Sequence, residues 1–221
     1  MSTTPAKTLL IYEIYASVQG ESTWAGLPCV FIRLARCNLR CTWCDTEYAF
    51  KGGEKMTLDQ IMDQVKTYGI PLVELTGGEP LAQPTCIDLA QCLVDAQYEV
   101  LIETSGSLPI DTLPPAVARI MDLKCPDSGM CHRNLLENID HLQPHRDEVK
   151  FVLASRKDYE WCRDTIEAYN LDQRCKTVLL SPVFGAVEAK DIVDWILEDD
   201  LPVRFQLQMH KFIWPPDQQG V

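Results

Sequence analysis

The sequence predicts an α/β fold, with residues 1–221 forming one domain around a parallel sheet that is either open or closed into a barrel. Two observations carry this. Short β-rich runs alternate with amphipathic helical patterns along the chain, and strands that alternate with helices lie parallel in one sheet. Several runs are nearly continuous apolar stretches, as expected of strands covered on both faces. At 221 residues, with no repeat, low-complexity tract or flexible linker, the chain is long enough for one real core.

The elements follow in order. "TLLIYEIYASV" and "CVFIRLA" are the first strands. A helix opens at Thr57, where "TLDQ" puts Gln60 three residues after the N-cap in a capping-box pattern. "PLVELT", "EVLIETS", "VARIMDLK", "EVKFVLAS" and "TVLLSP" are the next strands. Ala189, Ile192, Val193, Ile196 and Leu197 fall at i, i+3, i+4, i+7 and i+8, the apolar stripe of a later helix. "PVRFQLQM" is the last strand. In such folds functional loops sit at the C-terminal ends of the strands, so the residues after each strand are the ones to read.

Bulk properties exclude several classes. A net charge of −12 argues against nucleic acid as a partner, because phosphate backbones are bound by Lys/Arg patches. The N-terminal apolar run is short and broken by Glu13, too weak for a signal peptide and too short to span a membrane. Ten cysteines without such a signal point to reduced thiols and a cytoplasmic protein.

Three of those cysteines stand in "RCNLRCTWCDT": Cys37, Cys41 and Cys44, spaced C-x3-C-x2-C. Ten cysteines scattered at random over 221 positions would match this spacing only about 0.02 times. A helix burying three thiols on one face fits poorly, because Arg36, Asn38, Arg40, Thr42 and Asp45 surround them without an apolar stripe. Structural zinc wants four ligands in two knuckles, and no second Cys-x2-Cys pair exists. His141 and His145 have Pro144 between them, which argues against a helical metal face. Iron–sulfur clusters take thiolates, normally four for a cubane, so three leave one iron open as a binding site.

Three strand ends add polar groups. "IPLVELTGGEP" places Thr76, Gly77, Gly78 and Glu79 after an apolar strand, and two glycines let a ligand approach the backbone closely. "EVLIETSG" supplies Glu103, a candidate acceptor for a ribose hydroxyl, although a polar turn reads nearly as well. "RIMDLKCPDSG" supplies Asp122 and Lys124, either cofactor contacts or a salt bridge at the rim.

The cysteine motif resembles that of the radical S-adenosylmethionine superfamily. Within it, "YASVQGESTWAGLPCVFIRLARCNLRCTWCDT", "ETSG", "DLKCPDSG" and "QMHKFIWPP" resemble the 7-carboxy-7-deazaguanine synthase family over most of the chain. The resemblance implies a single-domain, incomplete TIM-like (β/α) barrel and a homodimer. It implies a 4Fe–4S cluster on Cys37, Cys41 and Cys44, S-adenosylmethionine on the open iron, and an external electron donor such as flavodoxin or ferredoxin. Trp43 and Asp45 would lie beside that cofactor, together with Gly78, Glu103, Asp122 and Lys124. The "GGE" segment would receive the methionine ammonium through backbone carbonyls and the acidic side chain. The reaction implied is radical ring contraction of 6-carboxy-5,6,7,8-tetrahydropterin to 7-carboxy-7-deazaguanine, with loss of ammonia and begun by hydrogen abstraction at C6. Val18, Gln19, Gly20 and Thr76 would meet the heterocycle, and Arg33 its carboxylate, through a charge-assisted pair. Thr46 would give its hydroxyl to Mg²⁺, an ion that keeps several waters and needs few protein ligands. Two other readings share parts of the pattern: an activase that abstracts a glycine hydrogen from a partner protein, and a non-catalytic iron–sulfur electron carrier.

Overall fold

A computed structural model describes residues 6–216 and 218–221. Its strands are β1 (Thr8–Val18), β2 (Pro28–Leu34), β3 (Glu54–Thr57), β4 (Leu72–Gly77), β5 (Glu99–Thr104), β6 (Ala118–Asp122), β7 (Glu148–Leu153), β8 (Thr177–Pro182) and β9 (Arg204–Phe205). The helices are α1 (Leu58–Tyr68), α2 (Thr85–Asp95), α3 (Arg156–Tyr169), α4 (Leu171–Arg174), α5 (Ala189–Glu198) and α6 (His210–Ile213). The strands form one sheet in the order β3-β1-β2-β4-β5-β6-β7-β8-β9. From β2 through β9 every neighbouring pair is parallel, and β1 runs antiparallel to both β2 and β3. The ends of the sheet do not meet, so the barrel is incomplete.

All eight expected strands are present, with three departures. β3 had no apolar run to announce it; it forms because "EKMT" pairs with the start of β1, Leu9 opposite Met56, and leads straight into the Thr57 cap. The last strand shrinks to two residues because its remainder turns away to bind the β1–β2 loop: Gln206 Oε1 accepts from Ser22 N at 2.7 Å and Met209 N donates to Gly20 O at 2.9 Å. In α5, Leu197 is 73% exposed and leaves the expected stripe. The helix instead turns Trp195 toward α3, where its ring lies 5.4 Å from that of Tyr159. The capping box at Thr57 is as expected, with both reciprocal hydrogen bonds present.

Alternation along the strands separates two environments, because successive side chains point to opposite faces. One face carries Val30, Ile32, Leu34, Val73, Leu75, Val100, Ile102, Phe151 and Leu180, packed against Ile61, Leu89, Leu93, Tyr159, Ile166 and Ile192 of the helices. Each such buried chain stabilises the fold by roughly 1.5–3 kcal/mol. The inner face begins with a small apolar floor of Cys29, Phe31, Leu72, Leu101, Ala118 and Ile120 under Tyr15 and Trp24. Two residues further along the same strands the inner positions become Arg33, Glu74, Glu103 and Asp122, with Lys150 on β7. A polar storey thus stands on an apolar floor, where charged groups are costly to bury unless paired.

The β1–β2 loop crosses this interior. It is closed by Gln19 N donating to Leu27 O and Gly26 N to Gln19 O, both at 2.8 Å. Beyond that pair, Thr23 Oγ1 donates to Glu148 and accepts from Lys176 Nζ at 2.7 Å. The loop therefore ties the antiparallel end of the sheet to β7 and β8.

Candidate active site

A cavity of about 740 Å³ opens at the C-terminal ends of the parallel strands. Apart from Glu79, the site residues singled out from the sequence line it: Val18, Gln19, Gly20, Arg33, Cys37, Cys41, Trp43, Cys44, Asp45, Thr46, Thr76, Gly78, Glu103, Asp122 and Lys124.

The three thiols sit on the loop that follows β2, which is not helical. All three are unpaired and partly buried. Burial pushes the Cys37 and Cys41 thiols up, and the neighbouring Cys44 adds to both. Among the described residues no three His, Cys, Asp or Glu side chains converge closely enough to hold a single ion. Three free thiols along one cavity wall fit a polynuclear cluster, whose irons are spread over several ångströms, better than a lone metal.

The end of β4 supports this loop from behind. A Cβ on Gly78 would lie 2.6 Å from Cys37 Cβ and would also strike the Arg36 carbonyl oxygen. The close approach that Gly78 permits is therefore with the cysteine loop itself. Gly78 N donates to Leu34 O at 3.3 Å and Glu79 N to Arg36 O at 3.0 Å, so both N–H groups are already used.

Glu79 corrects the role implied for its side chain. The residue is fully buried and does not line the cavity. Oε1 accepts from Leu81 N at 3.0 Å and Thr104 Oγ1 at 2.9 Å; Oε2 accepts from Ser105 N at 2.7 Å and Ser105 Oγ at 2.6 Å. Four donors satisfy a carboxylate's capacity. Glu79 ties the end of β4 to that of β5, and the chain continues through Ser105, Ser107 (2.8 Å) and Asn38 Nδ2 (2.9 Å) back to the cysteine loop.

Gln19 and Gly20 also depart from expectation. The Gln19 amide is buried, with Nε2 donating to Glu74 Oε2 and Oε1 accepting from Glu21 N. Its backbone N–H and carbonyl close the loop, so the side chain orients Glu74 rather than standing free for a heterocycle. A Cβ at Gly20 would lie 2.5 Å from His210 Nδ1, so the close approach there is made by the C-terminal segment.

Arg33 lies in the cavity wall with Nε donating to Glu13 Oε1 at 2.7 Å and Nη2 to Tyr15 Oη at 3.0 Å. The Tyr48 ring is 5.9 Å from its guanidinium carbon. Thr46 caps no backbone group; Cys44 Sγ stands 3.7 Å from its hydroxyl. Burial pushes Asp45 upward, but Lys211 Nζ at 2.8 Å overrides it and holds the carboxyl below its usual range. Asp122 and Lys124 pair with each other at 2.9 Å, and one oxygen of Asp122 is buried without a hydrogen-bond partner among the described residues.

Several lining residues escaped the sequence reading: Glu21, Glu74, Lys150, Gln208, His210 and Lys211. Burial, reinforced by Glu103, pushes the Glu74 carboxyl well up. Glu103 is raised by burial, although Lys150 opposes this. For Glu21 burial is outweighed by Lys150 and Gln208, and its carboxyl is lowered. The available signal was a charged residue at an inward position of an otherwise apolar strand, Glu74 in "PLVELT" and Lys150 in "EVKFVL".

The radical SAM superfamily model matches residues 31–128, which span the cysteine loop and the ends of β4, β5 and β6. The 7-carboxy-7-deazaguanine synthase of Koribacter versatilis is 46% identical, over 96% of this chain and 99% of its own. That of Chlorobaculum tepidum is 45% identical, over 96% and 97%. The crystal structure of QueE from Escherichia coli superposes with a TM-score of 0.76 at 21% identity, covering 92% of this chain and 95% of that one.

Proposed function

This chain belongs to the 7-carboxy-7-deazaguanine synthase family of radical SAM enzymes, and from that premise we propose that its cavity holds S-adenosylmethionine and a carboxylated pterin side by side. The enzyme is a radical SAM lyase of 7-deazapurine biosynthesis, and its reaction is conversion of 6-carboxy-5,6,7,8-tetrahydropterin to 7-carboxy-7-deazaguanine with loss of ammonia. One observation supports this arrangement above the others: three free thiols, the Gly78 strand end and Arg33 share one cavity of about 740 Å³, a size suited to small molecules.

Cys37, Cys41 and Cys44 would hold a 4Fe–4S cluster, which would supply an open iron for S-adenosylmethionine and the electron for its reductive cleavage. The chain's own residues bind and orient. Gly78 presents carbonyl rather than N–H groups, suited to an ammonium. Trp43 offers an aromatic face to adenine, and Glu103 accepts from the ribose. Asp45, Asp122 and Lys124 complete that wall. On the other side Arg33 turns its remaining N–H groups to the pterin carboxylate, while Val18, Gln19, Gly20 and Thr76 bound the ring. The apolar floor and the β1–β2 loop exclude water from below. Thr46, whose hydroxyl caps nothing, is the proposed Mg²⁺ ligand.

We place a homodimer contact on the exposed apolar chains Phe212 and Ile213, next to Phe184 of the cavity lining. An external donor such as flavodoxin or ferredoxin supplies electrons. Ten cysteines, all unpaired, suit a reducing cytoplasm, and among the described residues no helix is long and apolar enough to cross a membrane.

The test is anaerobic incubation of the reconstituted protein with the pterin, S-adenosylmethionine and dithionite, followed by chromatography. Deazaguanine product without any protein substrate is expected. Cofactor cleavage with no product would move the substrate elsewhere.

A further inference from the structure

Lys150 stands inside an apolar strand between Val149 and Phe151, 5% exposed, with its ammonium in the polar storey. Nζ lies 3.0 Å from Glu21 Oε2, 3.2 Å from Glu103 Oε1 and 3.8 Å from Asp122 Oδ2. Those carboxylates come from the β1–β2 loop, β5 and β6, so one cation joins three separate segments. A buried ionic cluster is seldom the most stabilising way to fill such a space, since apolar side chains of similar volume often do better. Here the cluster faces the cavity, and the carboxylates retain accepting capacity. Among the described residues Asp122 Oδ1 has no hydrogen-bond partner. We infer that Lys150 is a positioning residue whose ammonium holds Glu21 and Glu103 as ionised hydrogen-bond acceptors aimed at the bound ligands, with Asp122 at the edge of the same cluster. This rests on the function proposed above.

The other charged or titratable groups around this cluster include Glu74, Lys124 and His210, with Cys29 beside Glu103, Cys41 near Asp122, and Asp45, which Lys211 already pairs. Glu74 adds negative charge when ionised, and Lys124 is already paired with Asp122. Burial lowers His210, so it offers little positive charge near neutrality. Lys150 is therefore the main counter-charge for Glu21 and Glu103. Burial already raises Glu103 with the ammonium in place, and Glu21 stays low because of it. Without it both take up protons more readily, and a protonated carboxyl donates where a ribose or ring N–H needs an acceptor.

The experiment measures S-adenosylmethionine binding by equilibrium dialysis to the cluster-reconstituted, unreduced protein across pH 6.5 to 9. Wild type should bind with little pH dependence. Lys150→Met should keep its iron and visible absorption but bind about tenfold more weakly at pH 7, recovering as pH rises and the carboxylates ionise. Lys150→Arg, which keeps the charge, should restore most of the affinity and the flat profile. If Lys150→Met does not fold, Lys150→Met/Glu21→Gln removes one charge of each sign and is read the same way for Glu103. A Lys150→Met profile superimposed on wild type, or a Lys150→Arg variant no better than Met, overturns the role of Lys150. Failure of the wild-type protein to bind S-adenosylmethionine overturns the functional reading instead.

Discussion

Glu13 and Arg33 form an ion pair in the wall of the cavity, Oε1 to Nε at 2.7 Å, with both side chains largely shielded from solvent. The pair leaves part of the guanidinium for a ligand while fixing its plane. If that part meets the pterin carboxylate, Arg33→Ala removes a charge-assisted contact worth roughly 1.5–3 kcal/mol, or about tenfold to a hundredfold in affinity. Cluster content and S-adenosylmethionine binding should be unchanged. Pterin affinity measured in the presence of the cofactor decides it; equal values for the two proteins would place the carboxylate elsewhere.

Cys41→Ala should abolish the visible absorption of the reconstituted protein together with all turnover, because two thiolates do not hold a cubane. Iron analysis should fall from about four per chain to near background. Robust activity in this variant would exclude Cys41 as a ligand.

How much of this was legible before the structure depends on the range of the interactions involved. The strands announced themselves because apolar residues repeat locally, and the site because ligands gather at the C-terminal ends of parallel strands. β3 was silent: its charges Glu54 and Lys55 hide a strand that forms by pairing with Ile11 and Leu10 and, further on, Leu9 and Thr8. Glu79 read as a ligand residue because its neighbours are glycines, yet its partners Thr104 and Ser105 come from the next strand. The contacts of Gly20 with His210 and of Asp45 with Lys211 join positions with no local pattern between them.

Gly78→Ala tests the support behind the cysteine loop. Its Cβ would meet the Arg36 carbonyl and Cys37 Cβ, neither of which can swing aside as a flexible side-chain end could. Overpacking of this kind costs typically 1–3 kcal/mol. A lower melting temperature of the cluster-free protein and reduced iron uptake should appear together. Normal values for both would mean that the loop yields.

Glu74→Gln addresses the buried carboxyl that burial and Glu103 push well up. A carboxyl with a folded-state pKa above its unfolded one binds more protons when folded, so stability falls as pH rises between the two values. Glu74→Gln removes this loss. The variant should gain stability relative to wild type as pH rises from 5 to 8, with the smallest difference at pH 5. Denaturant titrations at both pH values check it, and a constant difference would mean that Glu74 is not protonated when folded.

Thr46→Val keeps shape and removes the oxygen proposed for Mg²⁺. The fold and cluster should persist, while turnover should need much more Mg²⁺ or respond to it less. Rate titrations against Mg²⁺ after chelator treatment compare the two proteins, and superimposed curves would reduce Thr46 to a turn residue.

A sheet that never closes leaves two rows of unpaired backbone groups, and such rows template the stacking of one molecule on another. The outermost strand at each end is short, although β3 covers only the Thr8 to Ile11 part of β1. β3 has four residues, with Glu54 and Lys55 exposed at its start, and β9 has two. The protein can keep an open-sided bowl for its ligands and still resist aggregation at high concentration. Replacing Glu54 and Lys55 with Thr and Val would lengthen the sticky row without touching the cavity, and light scattering on heating should register it before any loss of ligand binding.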